Sequence, residues 1–94
     1  MSFKNGSHWN EKNELKSFLI LKKLQEENFP RGMQIKLCRQ MEKETNLKTG
    51  SISAKVSNYK SEAGINNPSE STKQTYLKYK SCSIKELEEI IDTL

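Results

Sequence analysis

Residues 33–61 read MQIKLCRQMEKETNLKTGSISAKVSNYKS, and the predicted fold depends on this stretch more than on any other. Its first part, residues 33–44, places apolar side chains at helical spacing and cations on the opposite side, which is typical of an amphipathic helix. We expect the apolar side of this helix to face the core. It consists of Met33, Leu37, Cys38 and Met41.

A second helix is predicted after the short polar connection at residues 45–51. The hydroxyl of Thr49 or Ser51 is suited to cap it. Two helices joined by such a turn form the framework of a helix-turn-helix, although similar pairs also occur in plain bundles. The helix is expected to run from residue 52 to about residue 61 and to bury Ile52, Val56 and Tyr59.

Further helices are predicted on both sides of this pair. Asn10, ahead of two acidic residues, indicates the start of a first helix, which ends before the turn residues 29–32. A short helix is expected after Ser69, and Ser83 with Glu86 has the spacing of a capping box that opens a last helix. The expected core positions of these helices are Leu15, Phe18, Leu19, Leu21, Leu24, Tyr76, Tyr79, Ile84, Leu87, Ile90 or Ile91, and Leu94.

The predicted fold class is therefore all-α, a small bundle of four to five helices that contains a helix-turn-helix. Residues 1–8 are polar and aperiodic and are expected to form a flexible arm, whereas residues 9–94 form a single helical domain. Residues 63–67 are the place where a minor strand wing would lie. Trp9 is expected to anchor in the core rather than to stack on bases.

Several function classes find no support in the sequence. No apolar run approaches the roughly 20 residues of a membrane span, and residues 1–6 lack the apolar run of a secretory signal, which favours the cytoplasm. Cys38 and Cys82 lack CxxC spacing and His8 has no partner at metal-ligand spacing, so we expect no metal, no cofactor and reduced thiols. Without paired acids or a glycine-rich phosphate loop, we predict that the chain is not an enzyme.

Positive charge is concentrated in the middle of the chain, whose formal net charge is +4. Residues 31–60 carry seven cations and two acids, whereas residues 61–94 carry four cations and six acids. A basic segment of this kind is typical of a surface that binds a polyanion, although Lys48 and Lys60 could equally be solvated surface residues. The predicted DNA phosphate contacts are Arg31, Lys36, Arg39, Lys43, Lys48, Thr49 and Lys60.

The free side of the helix predicted at residues 52–61 carries side chains suited to reading bases. Asparagine pairs bidentately with adenine, lysine donates to guanine, and serine reads several base edges. Ser57 and Asn58 could instead form a local capping network. The predicted base contacts are Ser51, Ser53, Lys55, Ser57 and Asn58.

Residues 49–59, TGSISAKVSNY, also resemble a known family. Together with Trp9 before an acidic helix start, and residues 67–69 followed by Tyr76 and Tyr79, they resemble the N-terminal helix-turn-helix-like DNA-binding domain of bacterial HNH-type restriction endonucleases. The positions that match the pattern of this family are Ser51, Ile52, Lys55, Val56, Ser57, Asn58 and Tyr59.

The resemblance spans roughly residues 8–80 and implies a helical domain that reads double-stranded DNA. Some members of the family are thought to read modified cytosine, so methylated DNA is an implied ligand. No HNH motif follows residue 80, so cleavage is not carried over to this chain. The expected role is a transcriptional or nucleoid regulator, a reader of modified DNA, or the reader half of a larger endonuclease.

An alternative from another class is a helical adaptor that binds a protein partner, or a second copy in a homodimer, through the C-terminal helix. Residues 83–94 are acidic on one side and aliphatic on the other. The aliphatic side can instead close the core of the monomer, which is the interpretation favoured here. Binding to a protein partner would depend little on Lys55 or Lys60.

Overall fold

The computed structural model describes residues 9–60 and 70–94, which form five α-helices and contain no strand. The all-α fold class is therefore confirmed. The predicted arm at residues 1–8 and the predicted wing at residues 63–67 lie outside the described residues. The helices are α1 (Glu11–Glu26), α2 (Met33–Glu44), α3 (Thr49–Lys60), α4 (Glu70–Tyr79) and α5 (Ile84–Thr93).

The centre of the bundle is α1, since each of the other four helices packs against it. Phe18 of α1 stacks on Tyr59 of α3, with 5.0 Å between ring centroids, and meets the edge of Tyr76 of α4 at 5.9 Å. These aromatic contacts tie three helices together around one side chain. The buried apolar core consists of Leu15, Phe18, Ile20, Leu21, Leu24, Cys38, Met41, Leu47, Ile52, Val56, Tyr59, Tyr79, Leu87 and Ile91.

Most of the predicted core positions are confirmed, and the exceptions have local causes. Ile20 is buried although it lies beside the predicted apolar stripe, because α1 is covered by neighbours on several sides. Leu47 is buried although it lies in the connection that the sequence predicts to be polar. Leu94, which was expected to be buried, is half exposed at the end of α5. Partly buried positions are Leu19, Met33, Leu37, Tyr76, Ile84 and Ile90.

Both cysteines are free thiols that behave as small apolar side chains, as predicted. Cys38 is fully buried in the core, and Cys82 is half-buried against it. Burial raises the pKa of the Cys38 thiol above its ordinary 9.0, an effect that the nearby positive charge of Lys60 partly opposes.

The predicted break between α1 and α2 is confirmed and has the geometry of a Schellman motif. The N–H of Asn28 donates to the carbonyl of Gln25, and the N–H of Phe29 donates to the carbonyl of Leu24. Asn28 has φ of 60° and Phe29 has φ of 53°, so both adopt left-handed backbone. That conformation is usual for asparagine after a helix, but it costs a bulky residue such as phenylalanine about 1–2 kcal/mol.

The start of α3 differs from the prediction, because a side chain of α2 caps it. The helix begins at Thr49, three residues earlier than expected, and Ser51 lies within its first turn. The carboxylate of Glu42 accepts a hydrogen bond from the N–H of Thr49 at 2.5 Å and another from its hydroxyl at 2.6 Å. A negative group at this position satisfies an end amide and also complements the helix dipole. The connection between α2 and α3 therefore shortens to residues 45–48.

This cap predicts how stability responds to acid. Hydrogen bonds from the side chain and then the backbone of Thr49 lower the pKa of Glu42 below its ordinary 4.5. Because the folded pKa lies below the unfolded one, the stabilisation is complete above the unfolded pKa and is lost as the pH falls through the folded one. We expect Glu42→Gln to lower the melting temperature at neutral pH and this difference to shrink as the pH falls through the lowered pKa of Glu42.

The measurement is thermal unfolding followed by circular dichroism from neutral pH down to about pH 2.5. Glu89→Gln, which alters an exposed acid of α5, is the matched control and should show a smaller pH-dependent difference. A Glu42→Gln difference that stays constant across the whole range would contradict the cap.

Candidate nucleic-acid interface

The exposed side of α3 is made of small side chains. Ile52, Val56 and Tyr59 face the core and are each at most 1% exposed. At about 100° per residue, the opposite side of the helix carries no acid and no bulky group. The residues there are Gly50, Ser51, Ala54 and Ser57, all exposed, with Asn58 half-buried beside them.

A glutamine from α2 reaches across to this helix. Nε2 of Gln34 donates to Oγ of Ser53 at 2.9 Å and to its carbonyl at 3.3 Å, and it lies 3.5 Å from Oγ of Ser57. Oε1 of Gln34 accepts a hydrogen bond from Nζ of Lys60 at 2.6 Å. The same ammonium lies 5.2 Å from the ring centroid of Phe29, in the turn before α2.

Sequence reasoning missed both Gln34 and Phe29. Gln34 and Ser53 are 19 positions apart, so no local spacing signals their contact. For Phe29, the sequence predicts only a place in the break between two helices. The sequence around them carries no signal either, because Gln34 stands between the apolar residues Met33 and Ile35, and Phe29 precedes the basic segment at residues 31–60.

Lys55, one of the predicted base contacts, is turned inward instead. Its Nζ lies 3.2 Å from Oε2 of Glu14 on α1 and 4.7 Å from the ring centroid of Trp9, and its side chain is only 13% exposed. Glu14 is itself fully buried, and its Oε1 accepts a hydrogen bond from the hydroxyl of Tyr59 at 3.3 Å. Lys55 therefore joins α3 to α1 and is not part of the exposed side of α3. Trp9 packs partly buried against the core, as expected.

Removing Lys55 would take away a cation that lies 3.2 Å from the buried carboxylate of Glu14. We expect Lys55→Met to lower the free energy of unfolding by about 3–5 kcal/mol in urea denaturation. The double variant Glu14→Gln with Lys55→Met should be more stable than Lys55→Met alone, because it removes the buried charge and keeps an acceptor for Tyr59. Equal stability of Lys55→Met and the wild type would refute this role.

The predicted phosphate contacts of α2 share one face of that helix. Lys36, Arg39 and Lys43 are all exposed, and their spacing places them within an arc of about 60°. Cys38 and Met41, on the other side of α2, are buried. None of the three cations forms an ion pair with another residue of the described part of the chain.

The remaining predicted contacts lie around the same pair of helices. Arg31 and Lys48 are exposed in the turns that precede α2 and α3, and Lys60 is exposed at the end of α3. Thr49 is half-buried and committed to the cap with Glu42. Both helices pack against α1, and they also pack against each other. We call this region the α2–α3 surface, with Lys36, Arg39, Lys43, Lys48, Ser51, Ser57, Asn58 and Lys60.

The C-terminal helix contributes to the core and presents acids to the solvent. Leu87 and Ile91 of α5 are buried, so its aliphatic side closes the monomer, as favoured above. The predicted capping box is confirmed, since Ser83 and Glu86 exchange hydrogen bonds at 3.0 and 3.1 Å. Its exposed acids are Glu86, Glu88, Glu89 and Asp92.

An open groove of about 480 Å³ lies between α1, α2 and α5. Its apolar lining includes Leu19, Leu37 and Ile91. Ion pairs join Lys16 to Glu44 at 3.5 Å and Lys23 to Glu88 at 3.8 Å along its edges. The groove therefore has no dominant charge that would select a ligand.

Neither a metal site nor a membrane span is found in the part of the chain that the structure describes. Among those residues no group of three or more histidine, cysteine, aspartate or glutamate side chains is placed to hold a metal ion. No helix there is long and apolar enough to cross a membrane.

No family model, no curated protein and no solved structure matches this chain. The resemblance of residues 49–59 to the DNA-binding domain of HNH-type endonucleases therefore stays a prediction. The features of this chain that bear on its function are the geometry and charge of the α2–α3 surface.

Proposed function

We propose that this protein binds double-stranded DNA through the α2–α3 surface, with α3 in the major groove and α2 along the phosphate backbone. One observation carries the proposal: α3 has an exposed face without acids and packs against α2, which carries a row of exposed cations. The major groove is wide enough for one α-helix, and small side chains allow that helix to approach the base edges closely.

Three side chains on the exposed part of α3 are offered as base contacts. Ser51 and Ser57 are exposed hydroxyls, and Asn58 carries the amide that pairs bidentately with adenine. Ser53 is bound to Gln34, so its contribution is to position the surface rather than to read a base. Thr49, bound to Glu42, likewise supports the helix rather than a phosphate.

The cations supply affinity and orientation. Lys36, Arg39 and Lys43 extend along α2, while Lys48 and Lys60 mark the two ends of α3. Each phosphate neutralised by a cation releases condensed counterions and contributes about −0.9 to the slope of log affinity against log salt concentration. Five such contacts correspond to a slope of about −4 to −5.

The first prediction from this proposal concerns salt. We expect the wild type to bind a random 20–30 base-pair duplex with a slope of about −4 to −5 in fluorescence anisotropy between about 50 and 200 mM salt. Arg39→Gln combined with Lys43→Gln should reduce the magnitude of that slope by about 2. Lys85→Gln, on acidic α5, is the control and should leave the slope unchanged. Absence of binding at about 50 mM salt would reject the proposal.

The second prediction concerns specificity. A preferred duplex is first selected from a random library, in unmodified and cytosine-methylated forms. We expect Asn58→Ala to reduce the preference for the selected duplex over a random one by about 5- to 100-fold and to leave random binding nearly unchanged. Lys36→Gln should lower the affinity for the selected duplex and for the random duplex by the same factor. If Asn58→Ala lowers the affinity for both duplexes by the same factor, Asn58 does not contact a base.

Three more specific roles are compatible with this mode of DNA binding: a transcriptional or nucleoid regulator, a reader of methylated cytosine, and the reader half of a nuclease. All three would contact DNA through the α2–α3 surface, and they differ in the other domains or partners that act with it. The adaptor alternative has less support, because the aliphatic residues that it needs, Leu87 and Ile91, are already buried within the monomer. A cytoplasmic location and the lack of enzymatic activity stay predictions.

A further inference from the structure

We propose that Gln34 and Phe29 are positioning residues that hold the ammonium of Lys60 at the end of α3, ready to bind a DNA phosphate. The inference rests on the proposed DNA binding and deepens it. It assigns a role to two residues that belong to neither set of predicted contacts, and it makes Lys60 the most highly organised cation of the α2–α3 surface.

The ammonium of Lys60 is held from two directions. Oε1 of Gln34 accepts one of its hydrogen bonds at 2.6 Å, and the ring of Phe29 lies 5.2 Å away, within the range of a cation–π interaction. Gln34 is in turn fixed by Ser53, to which its Nε2 donates at 2.9 Å. The position of Lys60 therefore depends on two linked contacts. Ser53, in the middle of α3, fixes Gln34 of α2, and Gln34 holds the ammonium of Lys60 at the end of α3.

This arrangement leaves Lys60 able to bind an anion. An ammonium has three N–H donors, and Gln34 uses one of them while the ring uses none as a conventional hydrogen bond. A lysine already held in place loses less side-chain entropy on binding than a free one does. Phosphate is also the chemically suitable ligand, because it offers charged acceptors to the donors that remain.

The Schellman motif favours an apolar residue at position 29 but not this backbone conformation. Phe29 remains 45% exposed, and its φ of 53° would suit glycine or asparagine better. A strained residue with an exposed ring that faces a cation is expected to owe its place to that cation. The contact with Lys60 supplies such a role.

The test compares salt-dependent duplex binding of Gln34→Leu with that of the wild type, alone and in a Lys60→Gln background. We expect Lys60→Gln to reduce the magnitude of the slope by about 0.9. Gln34→Leu should weaken binding by about 2- to 10-fold in the wild type and have no further effect when Lys60 is already replaced. Gln40→Leu, an exposed glutamine of α2 in the groove beside α5, is the matched control and should change nothing.

Phe29 provides a variant that separates positioning from folding. Phe29→Gly relieves the left-handed backbone, so we expect its melting temperature to stay within a few degrees of the wild type or to rise, while DNA binding weakens as in Gln34→Leu. Phe29→Tyr keeps the ring and should restore wild-type binding.

The outcomes distinguish this inference from the proposed function. If the wild type binds duplex DNA with a steep salt slope but Gln34→Leu and Phe29→Gly bind equally well, the inference alone is overturned. It is also overturned if Gln34→Leu and Phe29→Gly weaken binding by the same factor in the Lys60→Gln background as in the wild type. If the wild type binds no duplex at about 50 mM salt, both fail together.

Discussion

The buried carboxylate of Glu14 is the constraint on which the arrangement of α1 and α3 depends. A carboxylate removed from water is costly unless a cation and a hydrogen-bond donor compensate it. Lys55 and Tyr59 of α3 supply these at 3.2 and 3.3 Å. Because the two residues are one turn apart, both contacts form in only one rotation of α3 against α1. This polar contact therefore sets the rotation of α3 together with the packing of Ile52 and Val56.

That rotation decides which side chains of α3 meet the solvent. With Lys55 turned towards α1, the exposed side is uncharged along its middle and has cations at its ends. α2 is attached to both halves of α3, since Glu42 binds its first residue and Gln34 binds Ser53 and Lys60. The cations of α2 therefore keep a fixed position relative to the exposed side of α3. A surface organised in this way loses less entropy when it binds a rigid ligand such as a duplex.

Charge is separated between the helices of this small bundle. The α2–α3 surface is positive, whereas the exposed side of α5 carries Glu88, Glu89 and Asp92. A polyanion approaching the protein would be attracted by the first surface and repelled by the second, which favours one orientation of encounter. Salt weakens this steering, because charges further apart than about 8–10 Å are largely screened at physiological ionic strength.

The sequence by itself determined the helices, and only the tertiary structure decided which polar side chains are available for binding. The caps at Asn10 and Ser83 and the break before Gly32 depend on residues a few positions apart, so local patterns identify them. Helical spacing likewise identifies the buried side of α3. It also assigns a charged residue such as Lys55 to the solvent, because polarity is the only property that a spacing pattern uses. The inward position of that lysine follows from the buried acid of α1, a partner remote in sequence that is brought within 3.2 Å only when the helices pack.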